Sequence, residues 1–201
     1  MSKPKVKEIM PMVKLELPPT IQVTEEQFFD FCQVNRELRI ERNINGDLLI
    51  MSPTGGKTGR RNFKLIKLLS RLEDTNSEWI GFDSSTGFRL PNGANRSPDV
   101  SFLRKDRWDS LTLEEQEKFI PLCPDFVIEL RSVSDSLSEL KEKMQEYIDN
   151  GSTLGWLIDP QKRKVYIYTS FQQEQCLDNP TTISASPLIP DFVLQLVELW
   201  N

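Results

Sequence analysis

Two short runs of this chain carry carboxylates where an extended strand would bury apolar side chains. In Ser97-Pro98-Asp99-Val100-Ser101-Phe102-Leu103, Asp99 opens a strand and shares a face with Ser101. In Pro124-Asp125-Phe126-Val127-Ile128-Glu129-Leu130-Arg131-Ser132, alternation sets Phe126, Ile128 and Leu130 on one face and Val127, Glu129 and Arg131 on the other. Charges inside an otherwise apolar strand are costly to bury without compensation. If the two strands are neighbours, ~4.8 Å apart, Asp99 and Glu129 can share a divalent cation. Mg²⁺ takes such oxygens together with water and substrate phosphate. A structural Glu129–Arg131 ion pair at a sheet end accounts for the same residues without a metal.

A second pattern is cationic. Gly55-Gly56-Lys57-Thr58 follows a strand and opens a helix, as a phosphate-binding loop does, but the earlier glycine of that motif is replaced by Met51, so the bland reading of a helix start is preferred. Along the helix, Lys57, Arg60, Lys64, Lys67 and Arg71 fall within ~80° of one another, and no acidic residue interrupts them. Phe63, Ile66, Leu69 and Leu72 are expected on the opposite side. The stripe suits the phosphates of a nucleic-acid backbone, and equally a solvated helix face. Asn62 falls on the buried side and needs hydrogen-bond partners or a role in a polar site.

The surrounding pattern supplies the elements that must hold these groups. Residues 1–20, rich in Pro and Lys, read as an N-terminal arm, and residues 21–201 as one mixed α/β domain. Thr24 suits the N-cap of a helix over TEEQFFDFCQVN, with Phe28, Phe31 and Cys32 on one side. Two alternating runs around Asn45-Gly46 read as a hairpin. Strands are expected in EWIGFDSSTGFRLP, SPDVSFL, PDFVIELRS, TLGWLID and KVYIYTS, with a helix over LSELKEKMQEYIDN that Gly151 stops. The tail SPLIPDFVLQLVELW is expected to pack on the body. Trp156 reads as core and Asp159 as a turn residue.

Composition narrows the chemistry further. The chain has no histidine, which removes Ser-His-Asp and Cys-His nucleophile systems and histidine-bound zinc. With 201 residues, 38% hydrophobic and 27% charged, it is long and apolar enough for a real core. The net charge of −5 argues against a general nucleic-acid glue, though a local basic stripe can still serve. Cys32, Cys123 and Cys176 are scattered and odd in number, and are expected as reduced thiols in a soluble cytoplasmic protein. No run is long enough to span a bilayer, so no membrane partner is expected.

Taken together, Asp99 in its Ser-Pro-Asp context, Glu129-Leu130-Arg131-Ser132, Lys143 with Tyr147, Gly151 and Trp156-Leu157-Ile158-Asp159-Pro160 resemble the Uma family of restriction-endonuclease-like proteins, within the PD-(D/E)xK nuclease superfamily. Glu41 before the hairpin turn and Met51-Ser52-Pro53 extend the resemblance, which runs from about Thr24 to Tyr168. It implies a restriction-endonuclease-like α/β core: a central mixed β-sheet flanked by helices, with an N-terminal helix and β-hairpin. It further implies Asp99 and Glu129 as metal ligands, Glu41 as an additional acid, and Mg²⁺ (or Mn²⁺) dependent hydrolysis of DNA by a homodimer.

The superfamily's lysine two residues after Glu129 is here Arg131, which keeps its charge but cannot act as a base. Lys143 is the expected replacement. Its helix turns Leu137, Leu140, Met144, Tyr147 and Ile148 inward, with Lys143 ~80° from the centre and Lys141 about as far on the other side. The helical angle alone does not choose between them; the family pattern favours Lys143, with Tyr147 as a supporting hydroxyl. Residues 134–136, with Ser134 and Ser136, offer caps for this helix; Ser132 and Ser134 are expected to cap it, to hydrogen-bond the carboxylates, or both, with capping preferred. A nuclease-fold protein that binds nucleic acid without cutting it is the alternative.

Overall fold

A computed structural model describes residues 12–18 and 20–200. The expected arm therefore falls mostly outside the described residues. Within it, β1 (Met12–Leu15) is a strand whose Lys14 reaches Asp47 at 3.0 Å.

Helix α1 (Glu25–Val34) starts where expected. Thr24 Oγ1 accepts from Gln27 N, and Gln27 Oε1 accepts from Thr24 N, which satisfies two orphan helix donors reciprocally. Phe28 is buried, whereas Phe31, expected beside it, is exposed. β2 (Arg39–Arg42) and β3 (Leu48–Met51) form the hairpin around Asn45-Gly46, and Gly46 takes the φ of +87° that the turn requires. After α2 (Gly56–Thr75) come β4 (Trp79–Asp83), β5 (Phe88–Arg89), β6 (Asn95–Arg96) and β7 (Val100–Arg104). Two short helices, α3 (Lys105–Asp109) and α4 (Leu113–Glu117), lead to β8 (Phe126–Leu130), α5 (Leu137–Asp149) and β9 (Leu154–Asp159). The chain ends with β10 (Lys164–Thr169), β11 (Gln172–Asp178), β12 (Thr182–Ser184) and β13 (Val193–Gln195).

The central sheet is mixed, in the order β11-β10-β9-β8-β7-β4. Only β8 and β9 run parallel, because α5 carries the chain back across the sheet between them. A second sheet, β1-β3-β2-β6-β5, incorporates the hairpin. The polar edge strand β11 offers no apolar alternation and escapes a reading based on hydrophobic period.

Two apolar layers sandwich the central sheet. On one face Leu65, Leu69 and Leu72 of α2 pack with Phe102, Phe126, Ile128 and Trp156, and the tail adds Leu194, Leu196, Leu199 and Trp200. On the other, Met144 and Tyr147 of α5 pack with Val127, Leu157 and Tyr166. Phe126 and Ile128 thus separate from Val127 as the two-residue period requires. No helix among the described residues is long and apolar enough to cross a membrane.

Candidate active site

The site begins with strand register. β7 pairs with β8 through Val100↔Ile128, Ser101↔Val127 and Phe102↔Phe126. Continued by one residue, this ladder sets Asp99 opposite Glu129, on the face that α5 covers. The Leu130 N–H donates to Asp99 Oδ2 at 2.9 Å, tying the aspartate to the neighbouring strand. From the second sheet, Arg39 donates to the Ser97 carbonyl at 2.8 Å and stands 3.8 Å from Asp99 Oδ1.

Helix α5 supplies the cation. Ser136 caps its first turn by accepting from Glu139 N, and buried Met144 and Tyr147 fix its rotation. Lys143 Nζ then lies 2.8 Å from Glu129 Oε1 and 2.9 Å from Glu41 Oε1. The Tyr147 hydroxyl donates to the same Glu129 oxygen at 3.1 Å. Lys141, equivalent to Lys143 by helical angle, instead reaches Glu174 at 2.5 Å and lies 4.2 Å from the centroid of the Tyr166 ring. Tertiary packing, not helical angle, separates the two lysines.

Glu41 enters from β2 and is fully engaged. Besides Lys143 it accepts from the Ser97 N–H at 3.0 Å and from Arg96 Nη1 at 3.1 Å. Arg96 in turn donates through Nε to Glu146 Oε2 at 2.6 Å, so a charged chain runs Glu129–Lys143–Glu41–Arg96–Glu146. Arg96 and Glu146 were not among the expected site residues. The signals were local: Arg96 adjoins the Ser-Pro-Asp run, and Glu146 lies one turn past Lys143 on the same helix.

Burial and charge divide the three acids. Burial opposes ionisation of Glu41, yet Lys143 and Arg96 hold its carboxyl down at about 2. Burial pushes Glu129 up to about 7; Lys143 pulls against this, while the charges of Asp99 and Glu41 add to the rise. Asp99 is also raised by burial, with Arg39 opposing. Burial works against the Lys143 ammonium, but Glu129 and Glu41 outweigh it and keep the lysine above its ordinary value. Burial, reinforced by Glu129, keeps the Tyr147 hydroxyl protonated. Near neutrality the site thus holds a fixed anion at Glu41, a fixed cation at Lys143 and a carboxyl at Glu129 poised to lose its proton.

Other expected residues fall elsewhere. Arg131 does not pair with Glu129. Its Nη1 meets the buried Asp159 at 2.7 Å, and the Asp135 carbonyl accepts from Nε and Nη2 at 3.2 Å. Asp159, read as a turn residue, is both: it also accepts from the Gln161 and Lys162 amides. Ser132 and Ser134 neither cap α5 nor reach the carboxylates. Their hydroxyls bond each other at 2.9 Å, and of the caps offered by residues 134–136 it is Ser136 that serves. Asn62 is half-buried, and its Oδ1 is buried without a hydrogen-bond partner.

The basic stripe of α2 is more mixed than its angular pattern implied. Lys57, Arg60, Lys67 and Arg71 are exposed, but Lys64 Nζ donates to the Glu198 carbonyl at 2.8 Å and anchors the tail. The buried residues are Leu65, Leu69 and Leu72, so Phe63 and Ile66, expected to be inward with Leu69 and Leu72, lie exposed instead. A helix buries only a stripe: Ile66 falls at its margin, ~90° from the centre of the three leucines, and Phe63 lies ~150° away on the outer side.

Among the described residues no group of three or more acidic or cysteine side chains is assembled to hold a metal ion. What is present is a pair of hard oxygen donors, Asp99 just before β7 and Glu129 on the adjacent β8. That donor set fits Mg²⁺, which takes one or two carboxylates and completes its shell with water and substrate phosphate.

Three comparisons bear on this arrangement. The Uma2 family model, described as "Putative restriction endonuclease", matches residues 25–197. Among solved structures, one from Anabaena variabilis, described as "a putative nuclease belonging to DUF820", superposes with a TM-score of 0.67 at 19% identity, covering 82% of this chain and 90% of that one. It is similar in fold. No curated protein matches significantly.

Proposed function

Because the chain belongs to the Uma2 family, we propose that it is a metal-dependent endonuclease that hydrolyses phosphodiester bonds of DNA. The observation that carries this reading is the placement of Asp99, just before β7 and bonded through Oδ2 to the Leu130 N–H, beside Glu129 of β8, with Lys143 Nζ 2.8 Å from Glu129. Mg²⁺ or Mn²⁺ held by Asp99 and Glu129 would supply an acidified water and neutralise charge growing on the phosphate.

The chain's own groups do the rest. Glu41 and Arg96 hold the Lys143 side chain so that its ammonium faces the carboxylate pair. A cation there orients the attacking water and stabilises the extra charge of the pentavalent phosphorus. Tyr147, fixed as a donor, orients Glu129. Arg131, engaged with Asp159, stays outside the reacting centre and orders the loop that precedes α5. The exposed cations of α2 contact backbone phosphates. In a homodimer, two such sites would serve the two strands of a duplex.

Thermal melting with and without Mn²⁺ or Mg²⁺, beside a plasmid-nicking assay, tests the proposal. The metal should raise Tm by mass action, and nicking should require it. Asp99→Ala and Glu129→Ala should each abolish both effects. A protein that binds DNA with neither a metal-dependent shift nor nicking is instead a binding module that has kept the fold.

A further inference from the structure

The outer face of α2 combines charge with an uncovered aromatic ring. Phe63 is 72% exposed and Ile66 37% exposed. Around them stand Lys57, Arg60, Lys67 and Arg71, all exposed and without an ion pair among the described residues. A groove of about 260 Å³ lies alongside, lined by Arg60, Phe63, Lys64, Lys67, Leu68, Arg71 and Glu198. The Glu198 backbone carbonyl holds Lys64 there, which fixes one wall of the groove against the tail.

The start of this face adjoins the site. Met51, the last residue of β3, is the register partner of Arg39, and Arg39 is the residue that stands against Asp99. Helix α2 begins only five residues later, at Gly56. From Lys57 to Arg71 the helix then rises ~21 Å, at 1.5 Å per residue. In chain order from that end, Lys57 and Arg60 come first, the Phe63 ring next, and Lys67 and Arg71 last, along a helix that covers the sheet face opposite the one carrying Glu129.

We propose that α2 is a binding track for unpaired nucleic acid, with Phe63 as the platform on which a base stacks and the flanking cations as phosphate contacts. This rests on the nuclease reading and deepens it by naming the substrate class as one with a single-stranded segment. The chemistry favours an unpaired strand over a duplex. A polyanion answers the uninterrupted cations, but a phenyl ring needs a free base face. In a duplex those faces are stacked on one another, and exposing one costs unstacking. In a single strand they are open, and an aromatic ring with interleaved cations accepts any base.

Fluorescence anisotropy in EDTA, with a labelled single-stranded deoxyoligonucleotide, its duplex and an abasic strand of equal length, tests this. The wild type should prefer the single strand. Phe63→Ala should weaken single-strand binding about ten-fold, while leaving duplex and abasic binding and the melting temperature unchanged. Phe63→Tyr should restore it. Arg60→Ala and Lys67→Ala should weaken binding to all three, each reducing the salt slope by about one.

Asp99→Ala should leave every one of these affinities intact, so loss of cleavage and loss of the track are scored separately. Equal weakening of all three ligands by Phe63→Ala, or none, overturns the proposal. So does a wild type that elutes as a dimer from which Phe63→Ala releases monomers with DNA binding unaltered, because the face is then a contact between copies.

Discussion

Arg131 closes on Asp159, Nη1 to Oδ2 at 2.7 Å, across the parallel pair β8 and β9. The contact joins the end of one strand to the end of the next and withdraws from the Glu129 neighbourhood the charge that sequence spacing would assign to it. Asp159 has no solvent exposure, so Arg131→Ala strands a buried carboxylate. Loss of one partner from such a pair costs about 3 kcal/mol. The urea midpoint of Arg131→Ala should fall accordingly at an unchanged m-value. Arg131→Lys should leave metal-dependent cleavage within about two-fold of wild type, because Lys143 already occupies the cation position. A large gain in cleavage would return that role to position 131.

Lys143 carries the opposite expectation. Lys143→Met removes the cation beside Glu129 while Glu41 keeps Arg96 as a partner. Cleavage should drop at least a hundred-fold, as for other groups that stabilise developing charge. The Mn²⁺-induced rise in Tm should survive, because Asp99 and Glu129 remain. Single-turnover rates and melting curves on the same preparation separate the two effects. If the Tm rise vanished along with cleavage, Lys143 would be a structural group of the pair.

The split between Glu129 and Glu41 sets a pH dependence for the metal-free protein. Glu129 rises from 4.5 when unfolded to about 7 when folded, so between those values the folded state holds a proton that the unfolded chain has lost. Stability must fall as pH rises through that window. Glu41 falls from 4.5 to about 2, so its contribution builds as pH climbs from about 2 to 4.5 and is lost again on acidification. Urea melts should place maximum stability near pH 4.5 if these two groups dominate. Glu129→Gln should flatten the neutral limb, gaining up to about 3 kcal/mol at pH 8 and little at pH 4.

The thiols offer a check on the packing. Burial pushes Cys123 up to about 11 and Cys32 likewise, whereas Cys176 is exposed on β11. A thiol reagent at pH 8 should modify Cys176 at once, Cys32 slowly, and Cys123 only after denaturation. Fast labelling of Cys123 in the native protein would mean that the packing of α5 against β8 and β9 opens readily.

How much of the site was legible depends on which regularity governs each residue. Glu129 could be set apart from Phe126 and Ile128 because strand side chains alternate, and nothing tertiary can change that parity. Thr24 and Gly46 announce a helix start and a turn because those are local hydrogen-bond and φ requirements. The choice of Lys143 over Lys141 was not legible from helical angle, since both sit at the rim of the inward face. Ile66 was misplaced for the same reason, because a helix rim can be read either way until its neighbour is known; Phe63 was misplaced because its apolar character was taken for burial, although it lies ~150° from the centre of Leu65, Leu69 and Leu72. Arg131 and Ser132 failed on range. Their partners depend on how the β8–α5 loop folds back on the end of β9.

By itself, then, the amino-acid order determined the carboxylates, their face on each strand and the absence of imidazole chemistry, since these follow from composition and a two-residue period. Tertiary structure alone decided that Asp99 stands opposite Glu129, that Glu41 holds Lys143 beside them, and that Arg131 turns to Asp159. Those pairings join β2, α5 and three different strands, and a contact across such separations exists only once the two sheets and α5 have packed. Local propensity acts over a few residues; the charges of this site meet across 14 to 102 of them.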